Sequence, residues 1–371
     1  MKDSISIDSY ECNGCRSCVE ICPDIFRMDE GGEKAEVIDP NALITPQIEE
    51  ATAYCPAKCI SLTRGAAVTI VPEPSHQQLT QIFESGATNE PLDEILSLAA
   101  LIQPSFNPFL LQQLHQDMAR LFGGSYPGFQ ASTTQYHNLR HTYSVALATA
   151  RLLHGLSCTG QDISNQVMEQ ALYSAYFHDT GLLMETSDAA TSGAVYTQRH
   201  EERSITFMTR YLSHNNLSPL LIQGCSAVIT CTNLTLDPRD IAFPSPASKL
   251  AGYVLGSADL LAQMADRCYL ERLPFLFEEH REGGIETHDS AIELMENTTH
   301  FYHNIISERL TKSFADTAQA MQAHFHQRWQ INDNLYHTNI TKNLDYLTKI
   351  LETCEDRGEC LERFLRRTPT S

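Results

Sequence analysis

A group of three cysteines, each separated from the next by two residues, lies near the start of the chain at Cys12, Cys15 and Cys18. Two Cys-Pro pairs follow this group, Cys22-Pro23 and Cys55-Pro56. A loop with this spacing presents three thiolates to one iron–sulfur cluster, and the fourth ligand must come from elsewhere in the chain. Because the sequence contains no second triplet, we expect a single cluster within residues 1–64.

The charge of the chain restricts its partners. The formal net charge is −20 at pH 7, and the longest run of basic residues is Arg366-Arg367. Nucleic acid and anionic membrane surfaces need a basic face, so neither is expected as a partner, whereas a basic redox protein is compatible with an acidic surface. No apolar stretch reaches the length of about 18 residues that a membrane span needs, and no signal peptide is evident. We therefore expect a cytoplasmic protein.

The pattern of residues changes along the chain. Short β-type runs and one candidate helix alternate within residues 1–64, which predicts a compact α+β domain. Gly65, Pro72 and Pro74 then interrupt regular structure, so residues 65–78 are expected to form a linker. Apolar residues at three- and four-residue steps dominate after it and predict helices. The predicted fold class is therefore multidomain, with a small α+β domain followed by an all-α helical bundle.

The cysteine-containing segment resembles the single-cluster [4Fe–4S] ferredoxins. The resemblance covers nearly all of residues 1–64 and includes the stretches Cys-Val-Glu-Ile-Cys-Pro and Ala-Tyr-Cys-Pro-Ala-Lys-Cys-Ile-Ser. It implies that one [4Fe–4S] cluster is bound by four cysteines, namely Cys12, Cys15, Cys18 and Cys55. Cys22 and Cys59 are left over, either as a disulfide or as free thiols. A structural zinc ion is the alternative to a cluster, although zinc sites usually pair two Cys-x-x-Cys arms.

Histidine and aspartate residues recur on successive predicted helices. His137 and His141 are four residues apart, which predicts that they share one face of a helix. His178 and Asp179 are adjacent at the end of another predicted helix, where they can bind one metal while the second carboxylate oxygen reaches another ion. Asp259 lies on an otherwise apolar helix. Since a buried carboxylate without a partner is costly, metal coordination is a natural explanation for it.

This order of residues resembles the HD-domain metal-dependent phosphohydrolases over residues 105–315. The sequence Tyr-His-Asn-x-x-His is also close to the opening motif of the cyclic-nucleotide phosphodiesterases of that superfamily. The resemblance implies an HD-type domain at residues 79–315 whose metal ligands are His141, His178, Asp179 and Asp259. It implies one or two divalent ions (Fe, Mn, Mg or Zn), with Asp179 as a catalytic residue and His137 as the general acid that protonates the leaving oxygen. His200 is expected either to bind the second metal or to contact a metal-bound water.

Two departures from the phosphodiesterase pattern bear on the substrate. Leu182 occupies the place of a further histidine, and Thr298 occupies the place of the glutamine that precedes the purine-contacting phenylalanine, here Phe301. Loss of that amide removes the donor and acceptor that read a purine edge. A cyclic nucleotide is therefore disfavoured, and the expected substrate is a small phosphodiester or phosphomonoester.

Together the two motif sets predict a redox-linked phosphohydrolase in which the cluster senses or delivers electrons. One alternative is an HD-fold di-iron oxygenase supplied with electrons by its ferredoxin domain, but the segment after His200 lacks the further histidine pair that such a centre uses. The other is a non-catalytic redox-responsive regulator, against which the presence of His137 argues, because coordination alone does not require it. Residues 316–371 are expected to form a helical extension packed on the HD domain.

Overall fold

The computed structural model describes residues 4–63, 76–85, 91–353 and 364–365. The chain divides into two compact units, Met1–Asn89 with Thr348–Thr370, and Glu90–Leu347 with Ser371. Most of the predicted linker at residues 65–78 lies outside the described residues. The prediction of a small α+β domain followed by a mostly helical region is confirmed.

The first unit contains two antiparallel strand pairs. Its strands are β1 (Ser4–Ile7), β2 (Phe26–Met28), β3 (Ala35–Val37) and β4 (Ile60–Thr63). β1 pairs with β4 so that Ile5 lies opposite Leu62, and β2 pairs with β3. The helices of this unit are α1 (Ser17–Ile21), α2 (Pro46–Ala53) and α3 (His76–Ser85). The β1–β4 pair brings the two ends of the cysteine-containing segment together.

The core of the first unit is small and contains the cysteines. Phe26, Ile48 and Ile60 are almost fully buried and form one cluster with the buried cysteine side chains. Helix α2 begins where Pro46 follows Thr45, whose hydroxyl accepts a hydrogen bond from the Ile48 amide at 3.4 Å. A core of this size is limited in the apolar area it can bury, so ligation of a cluster is expected to contribute to the stability of the unit.

The second unit is built from helices. They are α4 (Pro91–Ile102), α5 (Phe109–Phe122), α6 (Leu139–Cys158), α7 (Asn165–Phe177), α8 (His200–His214), α9 (Pro219–Thr230), α10 (Pro246–Met264), α11 (Tyr269–Glu282), α12 (Ala291–Phe301), α13 (Ala320–Trp329) and α14 (Leu335–Thr353). The division between the two units falls within α14, at Thr348. Short 3₁₀ turns occur at Thr180–Leu182, Gly193–Arg199, Pro238–Asp240 and Thr317–Gln319, and π-helical turns at Tyr302–Ile306 and Arg309–Ser313. None of the helices in the described ranges is both long enough and apolar enough to cross a membrane.

Helix α6 organises the second unit. It packs against α4, α7, α10 and α13, and its side chains are buried from Val145 to Gly155. A helix that is apolar around most of its circumference belongs in a core, and this is the position that α6 takes. Helix α10 is buried in the same way and packs against α6, α7 and α9. The three helices α6, α7 and α10 are therefore in mutual contact.

Side-chain caps fix where these helices begin. The Asn138 side chain accepts a hydrogen bond from the His141 amide at 3.1 Å, so α6 starts at Leu139. Ser164 caps α7 and Ser245 caps α10 in the same manner. The prediction that His137 lies on the helix face of His141 is therefore wrong. Because Asn138 caps the N-terminus of α6, the helix begins only after it. His137 precedes the cap and lies in a bend.

Gly155 allows α6 and α13 to approach closely. A Cβ atom at this position would overlap the backbone carbonyl of Ala320, which cannot rotate away. Gly155→Ala is therefore expected to lower the free energy of unfolding by about 2 kcal/mol or more through overpacking. Urea denaturation should show this loss, whereas Ser157→Ala on the same turn is expected to change it by less than about 0.5 kcal/mol. Equal stability of the two variants would contradict the close approach.

Candidate functional site

The four cysteines predicted to bind the cluster are all buried: Cys12, Cys15, Cys18 and Cys55. Burial, together with the charges of the three other cysteines, raises the pKa of Cys18 to about 12. Such mutual electrostatic influence requires that the four sulfur atoms lie near one another. Iron bound to these sulfurs would take the place of their protons, which is how a buried group of thiolates is stabilised.

The spread of the sulfur atoms distinguishes a cluster from a single ion. Zn–S bonds of about 2.3 Å in a tetrahedral site place neighbouring sulfurs about 3.8 Å apart. Within the described ranges, no three of these cysteines bring their sulfur atoms within 4.8 Å of one another. As placed, these sulfur atoms are therefore farther apart than the ligands of one tetrahedral zinc ion.

The loop between the first cysteines has an unusual backbone. Gly14 and Arg16 both have left-handed conformations, with φ of 68° and 64°. A Cβ atom on Gly14 would overlap the Glu33 carbonyl. The Lys34 ammonium group donates a hydrogen bond to the Cys12 carbonyl, and the Ala35 amide donates to the Cys12 sulfur at 3.5 Å. The loop is thus held against the segment that leads into β3, a contact that the cysteine spacing alone does not reveal.

Cys22 and Cys59 are free thiols and both are buried. The Cys59 sulfur lies 3.3 Å from the Cys55 sulfur. Burial is the main reason why the pKa of Cys59 is raised, and the neighbouring Cys55 and Cys12 add to the effect. Burial likewise raises the pKa of Cys22, and Asp24 contributes. The Cys59 sulfur therefore contacts the sulfur of a predicted cluster ligand, whereas among the described contacts Cys22 reaches a predicted ligand only through its amide, which donates a hydrogen bond to the Cys18 carbonyl.

The second unit contains a group of side chains whose geometry suits a metal ion. His141 from α6 and His178 and Asp179 from the end of α7 bring one ligand atom each within 4.8 Å of one another. The His141 Nε2 atom is 3.3 Å from both His178 Nε2 and Asp179 Oδ2, and His178 Nε2 is 3.2 Å from that same oxygen. All three side chains are buried. Two imidazoles and a carboxylate in this arrangement are a typical donor set for a divalent transition metal.

Asp259 joins this group from α10. Its Oδ1 atom lies 3.2 Å from His141 Nε2 and 3.7 Å from His178 Nε2. The Gln263 side chain, one helical turn later, donates a hydrogen bond to the same oxygen at 2.8 Å. The structure therefore brings together the four residues that the sequence predicts as metal ligands. We call these four residues, His141, His178, Asp179 and Asp259, the His–Asp centre.

Asp179 has a carboxylate oxygen without a hydrogen bond. No donor in the described part of the chain is aligned with Oδ2, although the two imidazole nitrogens lie close to it. The other oxygen, Oδ1, lies 3.6 Å from His200 Nε2. A buried carboxylate oxygen that accepts no hydrogen bond is costly, and a cation at this point would satisfy it. The residues present therefore fit a divalent ion, and the two oxygens of Asp179 face different histidines, Oδ2 towards His141 and His178 and Oδ1 towards His200.

Backbone carbonyls orient two of the imidazoles. His178 Nδ1 lies 2.8 Å from the Ala175 carbonyl, and His200 Nδ1 lies 2.7 Å from the Thr197 carbonyl. A carbonyl only accepts, so Nδ1 carries the proton in both rings and donates it. The Nε2 atoms then face Asp179, which is the orientation that a metal-binding histidine requires.

Gly181 brings His200 to the site. Its amide donates a hydrogen bond to the Ser204 hydroxyl at 2.8 Å, and that hydroxyl donates to the His178 carbonyl at 2.6 Å. A Cβ atom at residue 181 would overlap the His200 carbonyl. The turn that follows His178 and Asp179 therefore packs directly on the first turn of α8, where His200 begins the helix.

His137 pairs with a residue that the sequence did not indicate. Its Nδ1 atom lies 2.7 Å from Glu279 Oε2, and Glu279 Oε1 accepts a hydrogen bond from the Tyr136 amide at 2.6 Å. Burial lowers the pKa of His137, but the charges of Asp179 and Glu279 outweigh this effect and raise the pKa to about 9. His137 therefore carries a proton at neutral pH in this arrangement. Its ring lies 5.6 Å from the His141 ring, at the edge of the His–Asp centre.

A small pocket opens beside the His–Asp centre. Its lining includes His141, Tyr136, Gln263, Tyr269 and Arg272. The guanidinium group of Arg272 already donates to the Tyr136 carbonyl and pairs with Asp266. The pocket is therefore bounded by hydrogen-bonded polar groups rather than by a free cation.

Comparisons with known proteins concern the first unit. The family described as the 4Fe-4S single cluster domain of Ferredoxin I matches residues 7–62. Ferredoxin-2 of Nitratidesulfovibrio vulgaris is 48% identical over 60 residues, which are 16% of this chain and 92% of that protein. Ferredoxin-1 of Desulfocurvibacter africanus is 46% identical over 54 residues, 15% of this chain and 83% of that protein. The ferredoxin of Thermococcus litoralis is 34% identical over 58 residues, 16% of this chain and 95% of that protein.

Proposed function

Because the chain belongs, through its N-terminal domain, to the single-cluster [4Fe–4S] ferredoxin family, we propose that it is a redox-linked enzyme that couples this cluster to metal-dependent phosphoester hydrolysis in its helical unit. The ferredoxin module supplies the electron-transfer or redox role. The helical unit supplies the hydrolytic site, in an HD-type arrangement. The substrate class is a small phosphodiester or phosphomonoester.

The observation that carries the proposal is the convergence of His141 and His178 on the unpaired Oδ2 atom of Asp179, with Asp259 beside both imidazoles. Ligands that are far apart in the sequence meet at one buried point, on three helices in mutual contact. Interior packing alone favours apolar side chains there, because burying so many ionisable groups is costly. Binding of a cation accounts for all four of these side chains at once.

The residues of the chain have separate roles in this proposal. The His–Asp centre would hold a divalent ion, which would supply Lewis-acid chemistry towards a phosphoryl oxygen and water. His137 donates a proton from Nε2 to the leaving oxygen, while Glu279 accepts the hydrogen bond from Nδ1 and stabilises the imidazolium ion. Glu279 thereby orients His137 and, together with the charge of Asp179, favours its protonated form.

The proposal is tested by a substrate panel on the full chain, purified without oxygen. Phosphodiesters and phosphomonoesters, including nucleotides, are assayed with Mn²⁺, Fe²⁺ or Mg²⁺ and with the cluster oxidised or reduced. We expect hydrolysis to require the metal. We also expect the rate of hydrolysis to differ between the oxidised and the reduced cluster. Failure to hydrolyse any member of the panel would reject the hydrolase, and oxygen uptake in parallel assays would favour the di-iron oxygenase instead.

His137 offers a direct test of the general-acid role. His137→Gln is expected to lower kcat by about 10²- to 10⁴-fold without loss of bound metal, because it removes the proton donor but no ligand. Glu279→Gln is expected to lower kcat less and to keep the metal content. His115→Gln is the matched control, since His115 stacks on Tyr143 with ring centroids 4.0 Å apart and takes no part in the centre. Unchanged activity of the His137 variant would favour the non-catalytic regulator.

A further inference from the structure

Cys59 stands out among the free cysteines because it contacts a cluster ligand. Its sulfur lies 3.3 Å from that of Cys55, and both side chains are buried in the core of the first unit. The family resemblance assigns Cys55 to the cluster and gives no role to Cys59. The contact is within the range of a hydrogen bond between two sulfur atoms, in which either atom can be the donor when both are thiols.

The backbone holds the Cys59 sulfur in this position. The Lys58 amide donates a hydrogen bond to the Cys55 carbonyl at 3.1 Å, and Lys58 has a left-handed conformation with φ of 51°. This turn directs the chain back towards Cys55. On the other side, the Asp8 amide donates to the Cys59 carbonyl at 2.7 Å, and β4 starts at the next residue. Residue 59 is thus fixed between a tight turn and a paired strand.

Binding of Cys55 to the cluster fixes which sulfur donates the hydrogen bond between Cys55 and Cys59. A cysteine that binds iron does so as a thiolate and has no proton to donate. Cys59 is then the only possible donor of the pair. We propose that the Cys59 thiol donates a hydrogen bond to the Cys55 thiolate and thereby raises the midpoint potential of the [4Fe–4S] cluster. Hydrogen bonds to cluster sulfurs favour the reduced state because that state carries more negative charge.

The role assigned to Cys59 differs from that of the backbone donors around the cluster. The Ala35 amide donates to the Cys12 sulfur at 3.5 Å, and a side-chain substitution cannot remove this bond. The bond from Cys59 depends on one side-chain hydrogen. It can therefore be deleted or replaced while the loop stays unchanged. The inference concerns the cluster alone and is independent of the proposed hydrolase activity.

The test is a redox titration of the full chain, purified without oxygen and followed by electron paramagnetic resonance. Cys59→Ala is expected to keep the wild-type content of iron and acid-labile sulfide and to shift the midpoint potential to a more negative value. Cys59→Ser is expected to restore the potential to the wild-type value or above, since a hydroxyl is a better donor than a thiol. Cys22→Ala is the matched control, because no described contact joins Cys22 to the sulfur of a ligand, and it is expected to leave the potential unchanged.

A second measurement detects the proton itself. Electron–nuclear double resonance on the reduced cluster should show an exchangeable proton that is absent from Cys59→Ala and present in Cys59→Ser. The proposal is overturned if Cys59→Ala keeps the wild-type midpoint potential. It is also overturned if the midpoint potential of Cys59→Ser falls as far as that of Cys59→Ala. Loss of the cluster from both variants would overturn it as well, because Cys59 would then be a ligand. If Cys59→Ala does not fold, the midpoint potential of Cys59→Ser serves as the test. A potential of Cys59→Ser below the wild-type value would then contradict the proposal.

Discussion

Asp179→Asn is expected to lower the affinity of the helical unit for divalent metal by about 100-fold or more. The two oxygens of Asp179 face different histidines, Oδ2 towards His141 and His178 and Oδ1 towards His200. An amide carries no negative charge and presents an NH₂ group on one side, so it cannot replace either interaction fully. Mn²⁺ titration by calorimetry, together with the metal content after dialysis, measures the loss.

Asp117→Asn is the matched control for this variant. Asp117 is also buried, and it accepts a hydrogen bond from the Tyr211 hydroxyl at 2.8 Å and pairs with Arg120 away from the His–Asp centre. This substitution is expected to lower stability but to leave metal binding unchanged. If Asp179→Asn bound Mn²⁺ as tightly as the wild type, the group of histidines and aspartates would not be a metal centre.

Gly14→Ala is expected to prevent assembly of the cluster. The left-handed conformation at this residue costs a non-glycine residue about 1 to 2 kcal/mol, and the added methyl group would also overlap the Glu33 carbonyl. Since Glu33 contributes a backbone atom, the loop itself must move, and Cys12 and Cys15 move with it. Analysis of iron and acid-labile sulfide per chain after reconstitution measures the effect.

Gly31→Ala provides the comparison for the Gly14 variant. Gly31 has no left-handed conformation, and the nearest atoms to an added Cβ are 3.8 Å away. This variant is expected to bind the full complement of iron. A full complement in Gly14→Ala as well would show that the loop tolerates a side chain at residue 14.

The first domain was the part most readily predicted from the sequence. The cysteine spacing predicts one cluster because the positions of three ligands are set within a single short loop. The [4Fe–4S] ferredoxin assignment is confirmed by the family match and by relatives that the chain covers almost completely. Cys59 was harder to interpret, because its contact with Cys55 depends on the left-handed turn at Lys58, and lysine at that position gives no signal of such a turn.

The helical unit was predicted in outline. The apolar pattern around Asp259 predicts that it is buried, and the resemblance to the HD-domain proteins implies that it lies near His178, which it does, with Oδ1 3.7 Å from His178 Nε2. The ligand roles themselves stay a prediction. The four-residue spacing between His137 and His141 predicts that both lie on one helix. The Asn138 cap instead starts α6 at Leu139 and leaves His137 before the helix.

Glu279 could not be predicted, because its contact with His137 joins residues 142 positions apart. Helix α11, which carries Glu279, also contains Pro274 and several charged residues, so a single buried acid does not stand out in its pattern. Contacts of this kind depend on how helices pack together. Local propensity and periodicity carry no information about them.

In the proposed metal centre, the lack of a side chain at Gly181 bears on the number of cations that could bind. The first turn of α8 rests on this glycine, so the position of His200 beside Asp179 is fixed by two backbones in contact. Any added atom would push His200 outward and leave Asp179 with imidazoles on one side only. Main-chain packing would therefore decide whether this carboxylate serves one cation or bridges a pair.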